Sequence, residues 1–218
     1  VAVLQYNGSV NALQFGAIGD GVTDDSLSLV AFLAHASPSK YMPSSTYLVT
    51  KTLVIPDDVV WYGDGIGKTT LDFRSVGVGD LTSNVCVASN DASYTQVANL
   101  AADASIGDIS IELTSVTGIS SGDMIIIYNP VAGSWNLARS EYRSGEMCRV
   151  RDISGNNLIL ETALADSYAV ADVEVHVVNA QRHMNISDFS ILVNEDITKS
   201  TYGLNLRGLV DSNIKNIS

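Results

Sequence analysis

A short sequence motif occurs twice in this chain, first as Asn185-Ile-Ser-Asp-Phe-Ser-Ile and again, in similar form, as Asn213-Ile-Lys-Asn-Ile-Ser. This repeat decides the fold. The two stretches are offset by 28 residues, inside the window of roughly 20 to 50 residues that is typical of stacked repeats. In both, apolar and polar residues alternate as they do in short β-strands. Because one such repeat buries its apolar side only against a neighbour, the pattern predicts a β-solenoid.

The same short-strand pattern precedes this repeat. Residues 47–50, 52–55 and 59–62 are β-branched and aromatic runs, separated by Pro-Asp-Asp and Gly-Asp-Gly turns. They predict strands of about four residues each.

One helix is predicted before these strands, over residues 24–36. Thr23 and Asp24 are expected to cap its N-terminus, and Pro38 marks its end. Apolar residues recur on one face at the i, i+3, i+4, i+7 spacing, and this face is expected to be buried: Leu27, Val30, Ala31 and Ala34.

The middle of the chain reads differently, with longer strands joined by hairpin turns. Residues 155–157, Gly-Asn-Asn, predict a tight turn in which asparagine supplies the positive φ. We therefore expect three segments: a capping helix with the first coils at 1–97, an inserted antiparallel β domain at 98–180, and resumed coils at 181–218. The strands expected in the insert are residues 108–113, 124–128, 146–153, 158–161 and 173–178.

Composition excludes several classes of partner. With 24 acidic and 12 basic residues, the net charge of −12 argues against nucleic acid, whose phosphates need clustered cations. No apolar run approaches the roughly 18 residues of a membrane helix, so membrane insertion is not expected. Cys86 and Cys148 are expected to be buried small hydrophobes, since neither has the spacing of a zinc site.

Other polar motifs have plain structural explanations. Residues 63–69 lack the first glycine of a phosphate-binding loop, because Tyr62 stands in its place, so we expect a turn between coils. The acidic cluster of Asp20, Asp24 and Asp25 fits capping and turn formation better than catalysis. The histidines form no triad or metal motif, and no cofactor is expected; they are His35, His176 and His183.

Three ordered motifs between Leu13 and Leu71 resemble the opening of the pectate-lyase-like right-handed parallel β-helix proteins. They are Phe15-Gly-Ala-Ile-Gly-Asp-Gly-Val-Thr-Asp-Asp, Tyr41-Met-Pro-Ser-Ser-Thr-Tyr-Leu-Val and Gly63-Asp-Gly-Ile-Gly-Lys-Thr-Thr-Leu. The middle block is similar to the β insertion of many phage members, such as tailspikes and pre-neck appendages. The family resemblance implies an all-β fold, with a capping helix at the first coil of the β-helix.

The resemblance also implies a homotrimer on the virion tail that binds, and commonly cleaves, a host cell-surface polysaccharide. On this view the chain is a fragment, and the catalytic acids of the intact protein would lie on coils beyond Ser218, whether it is a hydrolase or a lyase. Two alternatives stay open: a virion adhesin or structural appendage without enzymatic activity, and an extracellular polysaccharide lyase or glycoside hydrolase secreted by a microbe.

The stretch from Tyr128 to Glu146 is the richest in ligand-binding residue types. Aromatic rings stack on the apolar faces of sugars, and arginine binds carboxylates through two N–H groups, so the composition suits an acidic glycan. The alternative is that the aromatic residues pack the loop on its own domain and that Arg143 pairs with Glu146. The candidate glycan-binding residues are Trp135, Arg139, Tyr142, Arg143 and Glu146.

Overall fold

A computed structural model describes residues 8–75, 81–82, 85–89, 93–131, 144–194 and 201–218. The chain forms two compact units. The coil unit comprises Val1–Asp91 and Gln181–Ser218, and the insert comprises Ala92–Ala180. Among the described residues no helix is long and apolar enough to cross a membrane.

The chain is almost entirely β-structure. Besides a 3₁₀ helix at Ala12–Phe15, the elements in chain order are β1 (Ser9–Asn11), β2 (Asp20–Asp24), α1 (Ser26–Ala34), β3 (Ser39–Tyr41), β4 (Ser45–Leu48), β5 (Leu53–Ile55), β6 (Val60–Tyr62), β7 (Thr69–Asp72), β8 (Val85–Ser89), β9 (Ser93–Asn99), β10 (Ser110–Glu112), β11 (Met124–Tyr128), β12 (Gly145–Ser154), β13 (Asn157–Leu160), β14 (Glu174–Asn179), β15 (Gln181–Arg182), β16 (Asn185–Leu192), β17 (Tyr202–Asn205), β18 (Leu209–Val210) and β19 (Asn213–Ile217).

The strands of the coil unit are parallel and stack as coils of a β-helix. One stack runs β1-β3-β6-β16-β19, a second runs β2-β4-β7-β16, and a third runs β5-β8-β17. The long strand β16 bends from the first stack to the second, pairing with β6 through its first half and with β7 through its second. The sequence repeat is confirmed, because Asn185 pairs with Asn213 and Ile186 with Ile214 in parallel register.

The core of the coil unit lies between these stacks. Trp61 on β6 and Phe189 on β16 are fully buried, and their ring centroids lie 4.7 Å apart. These two strands stand on either side of the insert in sequence. The coil that precedes the insert in sequence therefore pairs directly with the coil that follows it.

Helix α1 is shorter than expected and buries a different face. Leu27 is 71% exposed, whereas Leu29 and Phe32 are fully buried in the coil core. The predicted buried face was therefore wrong. Apolar residues surround this helix on nearly every side, so their spacing fits more than one face and packing against the coils makes the choice.

The helix start is also corrected. Thr23 does not cap the helix, because its N–H and hydroxyl both donate to the Asp20 carboxylate. Asp24 accepts a hydrogen bond from the Ser26 N–H at 3.0 Å. The fully buried Asp25 instead receives the N–H groups of Ile18 and Gly19, at 2.7 and 3.0 Å. The acidic cluster thus has the structural role expected of it, with the bonds distributed differently.

The insert is an antiparallel sheet of six strands in the order β10-β13-β12-β11-β14-β9, with its own apolar core. Because β9 belongs to this unit, the unit begins before residue 98, the start expected from the sequence. In the turn between β12 and β13, Gly155 rather than an asparagine has the positive φ, at 62°. Glycine adopts this conformation without a steric penalty.

Candidate functional site

The structure places one of the predicted glycan-binding residues. Glu146 lies on β12, whereas Trp135, Arg139, Tyr142 and Arg143 lie outside the described residues. The Glu146 carboxylate accepts the N–H of Ala165 at 3.0 Å and the hydroxyl of Tyr168 at 2.9 Å. Burial, together with this carboxylate, raises the pKa of Tyr168. Glu146 therefore ties β12 to the segment that follows β13.

The base of the predicted glycan-binding segment is closed by backbone contacts. The Asn129 N–H donates to the Ser144 carbonyl at 3.0 Å, and Gly145 pairs with Tyr128. A Cβ atom on Gly145 would lie 2.4 Å from the Ile127 carbonyl oxygen, so only glycine permits this close approach of the strands. Beside it lies a cavity of about 200 Å³ lined by Ile126, Tyr128, Ser144, Gly145, Glu146 and Met147.

An aromatic cluster lies on the face of the insert sheet that is turned away from its core. The ring centroids of Tyr128 and Tyr94 lie 5.5 and 5.7 Å from that of His176, both in edge-to-face geometry. The His176 Nε2 atom lies 2.9 Å from the Glu174 Oε2 atom. Register places Met147 in the same cross-strand row as His176, with Ile126 between them. We call Tyr94, Tyr128, Met147, Glu174 and His176 the aromatic face.

The aromatic face combines buried and open parts. His176 is only 9% exposed, and its Nδ1 atom has no hydrogen-bond partner among the described residues. Tyr94 and Met147 are 63% and 54% exposed. A polar atom buried without a partner is costly in a folded protein and is common where a ligand completes the bonding. The arrangement offers flat apolar surface beside a few hydrogen-bonding groups, which are the usual elements of a small-molecule site.

Sequence reasoning missed most of this cluster. Glu174 and His176 lie two residues apart on β14 with the buried Val175 between them, so a strand period of two would have put both on the face opposite Val175. Tyr94 could not have been added in this way. Its strand was not expected, and it meets His176 only through the pairing of β9 with β14.

The remaining motifs have structural roles. Residues 63–69 form the predicted turn between β6 and β7, where the Gly63 N–H donates to the Ser187 carbonyl of the next coil at 3.1 Å. Both cysteines are free and buried, as predicted, and burial raises the pKa of Cys86 to about 12 and that of Cys148 to about 11. Within the described ranges, no three His, Cys, Asp or Glu side chains converge to hold a metal ion.

The other two histidines are held by local contacts. His35 follows α1, and its Nδ1 atom accepts the Ser37 N–H at 3.1 Å. His183 stands beside Asp58, with its Nδ1 atom 2.8 Å from the Asp58 Oδ1 atom. Among the described residues neither pair extends to a third catalytic group, and His35 has the structural role expected from the sequence.

Comparisons with known proteins agree with this architecture. The family model described as rhamnogalacturonase A/epimerase, pectate lyase-like matches residues 9–158. Mannuronan C5-epimerase AlgE1 of Azotobacter vinelandii is 36% identical over 72 residues, which are 28% of this chain and 5% of that protein.

Three solved tailspikes share the fold. Tailspike gp61 of Pseudomonas phage phi297 has a TM-score of 0.76 at 20% identity and covers 98% of this chain and 38% of its own. Tailspike gp49 of Pseudomonas phage LKA1 has a TM-score of 0.74 at 24% identity, covering 90% and 36%. The Gp54 tailspike of Acinetobacter baumannii bacteriophage AP22, in complex with A. baumannii capsular saccharide, has a TM-score of 0.69 at 19% identity, covering 95% and 36%. This chain therefore spans less than two-fifths of the length of these tailspikes.

Proposed function

Because this chain belongs to the rhamnogalacturonase A/epimerase, pectate lyase-like family and has the right-handed parallel β-helix fold, we propose that it acts in a phage tailspike that binds a bacterial surface polysaccharide. Two lines of support meet here. Tailspikes match the fold over nearly the whole chain, and one of them was solved with a capsular saccharide. The aromatic face supplies a surface of the right chemistry for such a ligand.

The observation that carries the proposal is the position of the aromatic face. Tyr128 ends β11 at the base of the predicted glycan-binding segment, and its ring also contacts His176. A saccharide on this face would stack its apolar side on an exposed tyrosine and direct its hydroxyls to the polar groups of Glu174 and His176. In this proposal the glycan contacts remain those expected from the sequence: Trp135, Arg139, Tyr142 and Arg143, with Glu146 at the start of β12, where its carboxylate also accepts the Tyr168 hydroxyl.

Three further parts of the proposal concern the intact protein. We place it on the virion tail, as a homotrimer, with depolymerase activity towards the polysaccharide that it binds. The carboxylates of Asp24, Asp25 and Glu146 already accept hydrogen bonds that hold the fold, so we assign no catalytic acid among them. Reducing ends released without unsaturated uronate would indicate hydrolysis, whereas reducing ends released together with unsaturated uronate would indicate elimination.

Binding is tested with a panel of purified capsular polysaccharides from Pseudomonas and Acinetobacter strains. For a polysaccharide that binds the unmodified chain, Tyr94→Ala should weaken binding by about tenfold or more, as loss of an exposed aromatic contact does at other binding sites. Tyr202→Ala is the matched control, because Tyr202 is similarly exposed but lies in the coil unit. Equal affinities for the two variants would contradict the assignment of the aromatic face.

A further inference from the structure

A cavity of about 410 Å³ lies in the coil unit, between the end of α1 and the turn that joins β5 to β6. Residues 33–38 line one side of it and residues 56–59 line the other. The Val60 N–H donates to the Pro38 carbonyl at 2.8 Å, so a backbone hydrogen bond ties the two sides together. The volume falls within the range of about 300–1,000 Å³ that is usual for small-molecule sites.

The walls of this cavity are mainly apolar. Leu33 and Val59 are almost fully buried, at 2% and 1% exposure, and they form its floor. The rings of Pro38 and Pro56 also line it and are more accessible. None of these four side chains has a hydrogen-bonding group, so the walls suit a ligand whose body is a hydrocarbon chain.

Two aspartates give the cavity its charge. Asp57 and Asp58 both line it and both are exposed. The Asp58 Oδ1 atom lies 2.8 Å from the His183 Nδ1 atom, whereas the Asp57 carboxylate has no hydrogen-bond or ion-pair partner among the described residues. No lysine or arginine occurs among the described residues that line the cavity. A cation is therefore the favoured charged partner for this lining.

The end of α1 adds to this negative charge. Leu33 and Ala34 are the last residues of the helix, and within the described part of the chain their carbonyl oxygens accept no hydrogen bond. Such carbonyls give the C-terminus of a helix a partial negative charge that favours cations. The Lys40 ammonium serves the next carbonyl, that of His35, but Lys40 is buried and is not among the residues that line the cavity.

The histidine in the lining is uncharged in this geometry. The His35 Nδ1 atom accepts the Ser37 N–H at 3.1 Å, so the ring proton is on the Nε2 atom. The ring is also packed edge-to-face against Phe15, with centroids 5.4 Å apart. The imidazole therefore does not cancel the charge of the two aspartates.

We propose that this cavity binds an organic cation with a short apolar body, namely a primary alkylammonium ion. Its hydrocarbon chain packs on Leu33 and Val59, and its ammonium group donates to the Asp57 carboxylate and to the free carbonyls at the end of α1. An ammonium group has three N–H donors and no acceptor, which matches a rim of oxygen acceptors. The inference does not depend on the proposed function, because it takes neither its ligand nor its residues from saccharide binding.

The test uses the full chain and three probes that share a five-carbon chain and differ in the charge of the head group: pentylammonium, 1-pentanol and pentanoate at pH 7. Backbone amide shifts in nuclear magnetic resonance titrations report affinity and location together. Pentylammonium should bind about fivefold more tightly than pentanol, and pentanoate more weakly than pentanol. The largest shifts should occur at residues 33–38 and 56–59.

Two variants separate the charge of the cavity from its apolar walls. Asp57→Asn should weaken pentylammonium binding by about threefold and leave pentanol binding unchanged, because only a charge is lost. Asp172→Asn, which removes an exposed aspartate of the insert, is the matched control and should change neither affinity. Ala36→Trp should weaken the binding of both probes by about fivefold, because an indole at this exposed lining position fills the cavity.

Three outcomes would overturn the site. They are amide shifts centred outside residues 33–38 and 56–59, equal affinities for pentylammonium and pentanol, and full pentylammonium affinity in Asp57→Asn. Because Asp57 is exposed and its carboxylate is without a partner among the described residues, Asp57→Asn tests the proposal even if Ala36→Trp fails to fold.

Discussion

At the scale of single residues, Asp25 organises the entry to the β-helix. It lies directly before α1, and its carboxylate receives two backbone N–H groups from the loop between the 3₁₀ helix and β2. Its own N–H donates to the Leu48 carbonyl at 2.9 Å, so the residue joins the loop, the helix and β4. Because the Asp25 carboxylate is buried, at 1% exposure, its removal leaves both loop N–H groups without this acceptor.

We predict that Asp25→Ala lowers the free energy of unfolding by about 1–3 kcal/mol, because two hydrogen bonds to a buried carboxylate are lost. The measurement is urea unfolding followed by circular dichroism. Asp57→Ala is the control, because Asp57 is exposed, and its effect should stay within about 0.5 kcal/mol. Equal changes in the free energy of unfolding for the two variants would mean that Asp25 stabilises the fold no more than a surface aspartate does.

Asp72 and Arg74 form an ion pair at the end of β7. Arg74 donates from Nε and Nη2 to the two carboxylate oxygens, at 2.9 and 2.7 Å. These hydrogen bonds lower the pKa of Asp72 despite its burial. A carboxylate with a lowered pKa in the folded state stabilises the protein above its unfolded pKa of about 3.9, and this contribution is lost as pH falls through the folded value.

We therefore predict that Arg74→Gln destabilises the protein only slightly at pH 7, since the arginine is largely exposed and solvent screens its charge. The difference from the unmodified chain should shrink as pH falls below about 4 and the carboxylate is protonated. Urea midpoints measured across this pH range report it, with Lys68→Gln as the control for a lost surface charge. A difference that is constant with pH would show that Asp72 titration is not involved.

At the scale of elements, α1 shows how packing chooses among apolar faces. Its sequence is Ser-Leu-Ser-Leu-Val-Ala-Phe-Leu-Ala, and leucines occur on opposite sides of the helix. Leu29 faces the coil core with Phe32 and Leu33, whereas Leu27 faces outward. Two leucines in one helix thus differ almost entirely in burial.

We predict that Leu29→Ala lowers the free energy of unfolding by about 2–5 kcal/mol, through lost burial and the cavity left behind. Leu27→Ala is its matched control and should change stability by no more than about 0.5 kcal/mol. Thermal unfolding of the two variants measures the difference. A larger loss of stability in Leu27→Ala than in Leu29→Ala would instead support the face predicted from the apolar spacing, on which Leu27 is buried.

At the scale of the whole molecule, the described residues form two cores that share no buried residue. The six strands of the insert sheet pair with one another. The coil unit pairs strands that precede the insert in sequence with strands that follow it. Each unit therefore has an apolar core of its own, as independently folding domains do.

We predict that residues 92–180, produced alone, fold to an antiparallel sheet with one cooperative unfolding transition. Far-ultraviolet circular dichroism and amide hydrogen exchange would detect it. Ile127→Ala, which removes a buried core side chain, should abolish or strongly lower this transition, whereas Ile109→Ala, at an exposed position, should not. An isolated insert that is disordered would show that its core depends on the coil unit.

Local sequence patterns determined much of this protein. The offset between Asn185 and Asn213 indicated the coil register, and the apolar run of residues 124–128 indicated a strand whose bounds match β11. The turn at residues 63–69 also followed from the missing glycine of a phosphate-binding loop. These features depend on residues that are close in sequence or repeated at a fixed interval, so the pattern contains the information.

Only the tertiary structure decided the rest. The buried face of α1 depends on which side meets the coils, because the helix is apolar almost all round. Trp61 contacts Phe189, although the insert separates the two residues in sequence. Tyr94 contacts His176, which lies on a strand distant from it in sequence. Such contacts are selected by the summed packing of the whole fold, since no local preference of either residue favours that one partner.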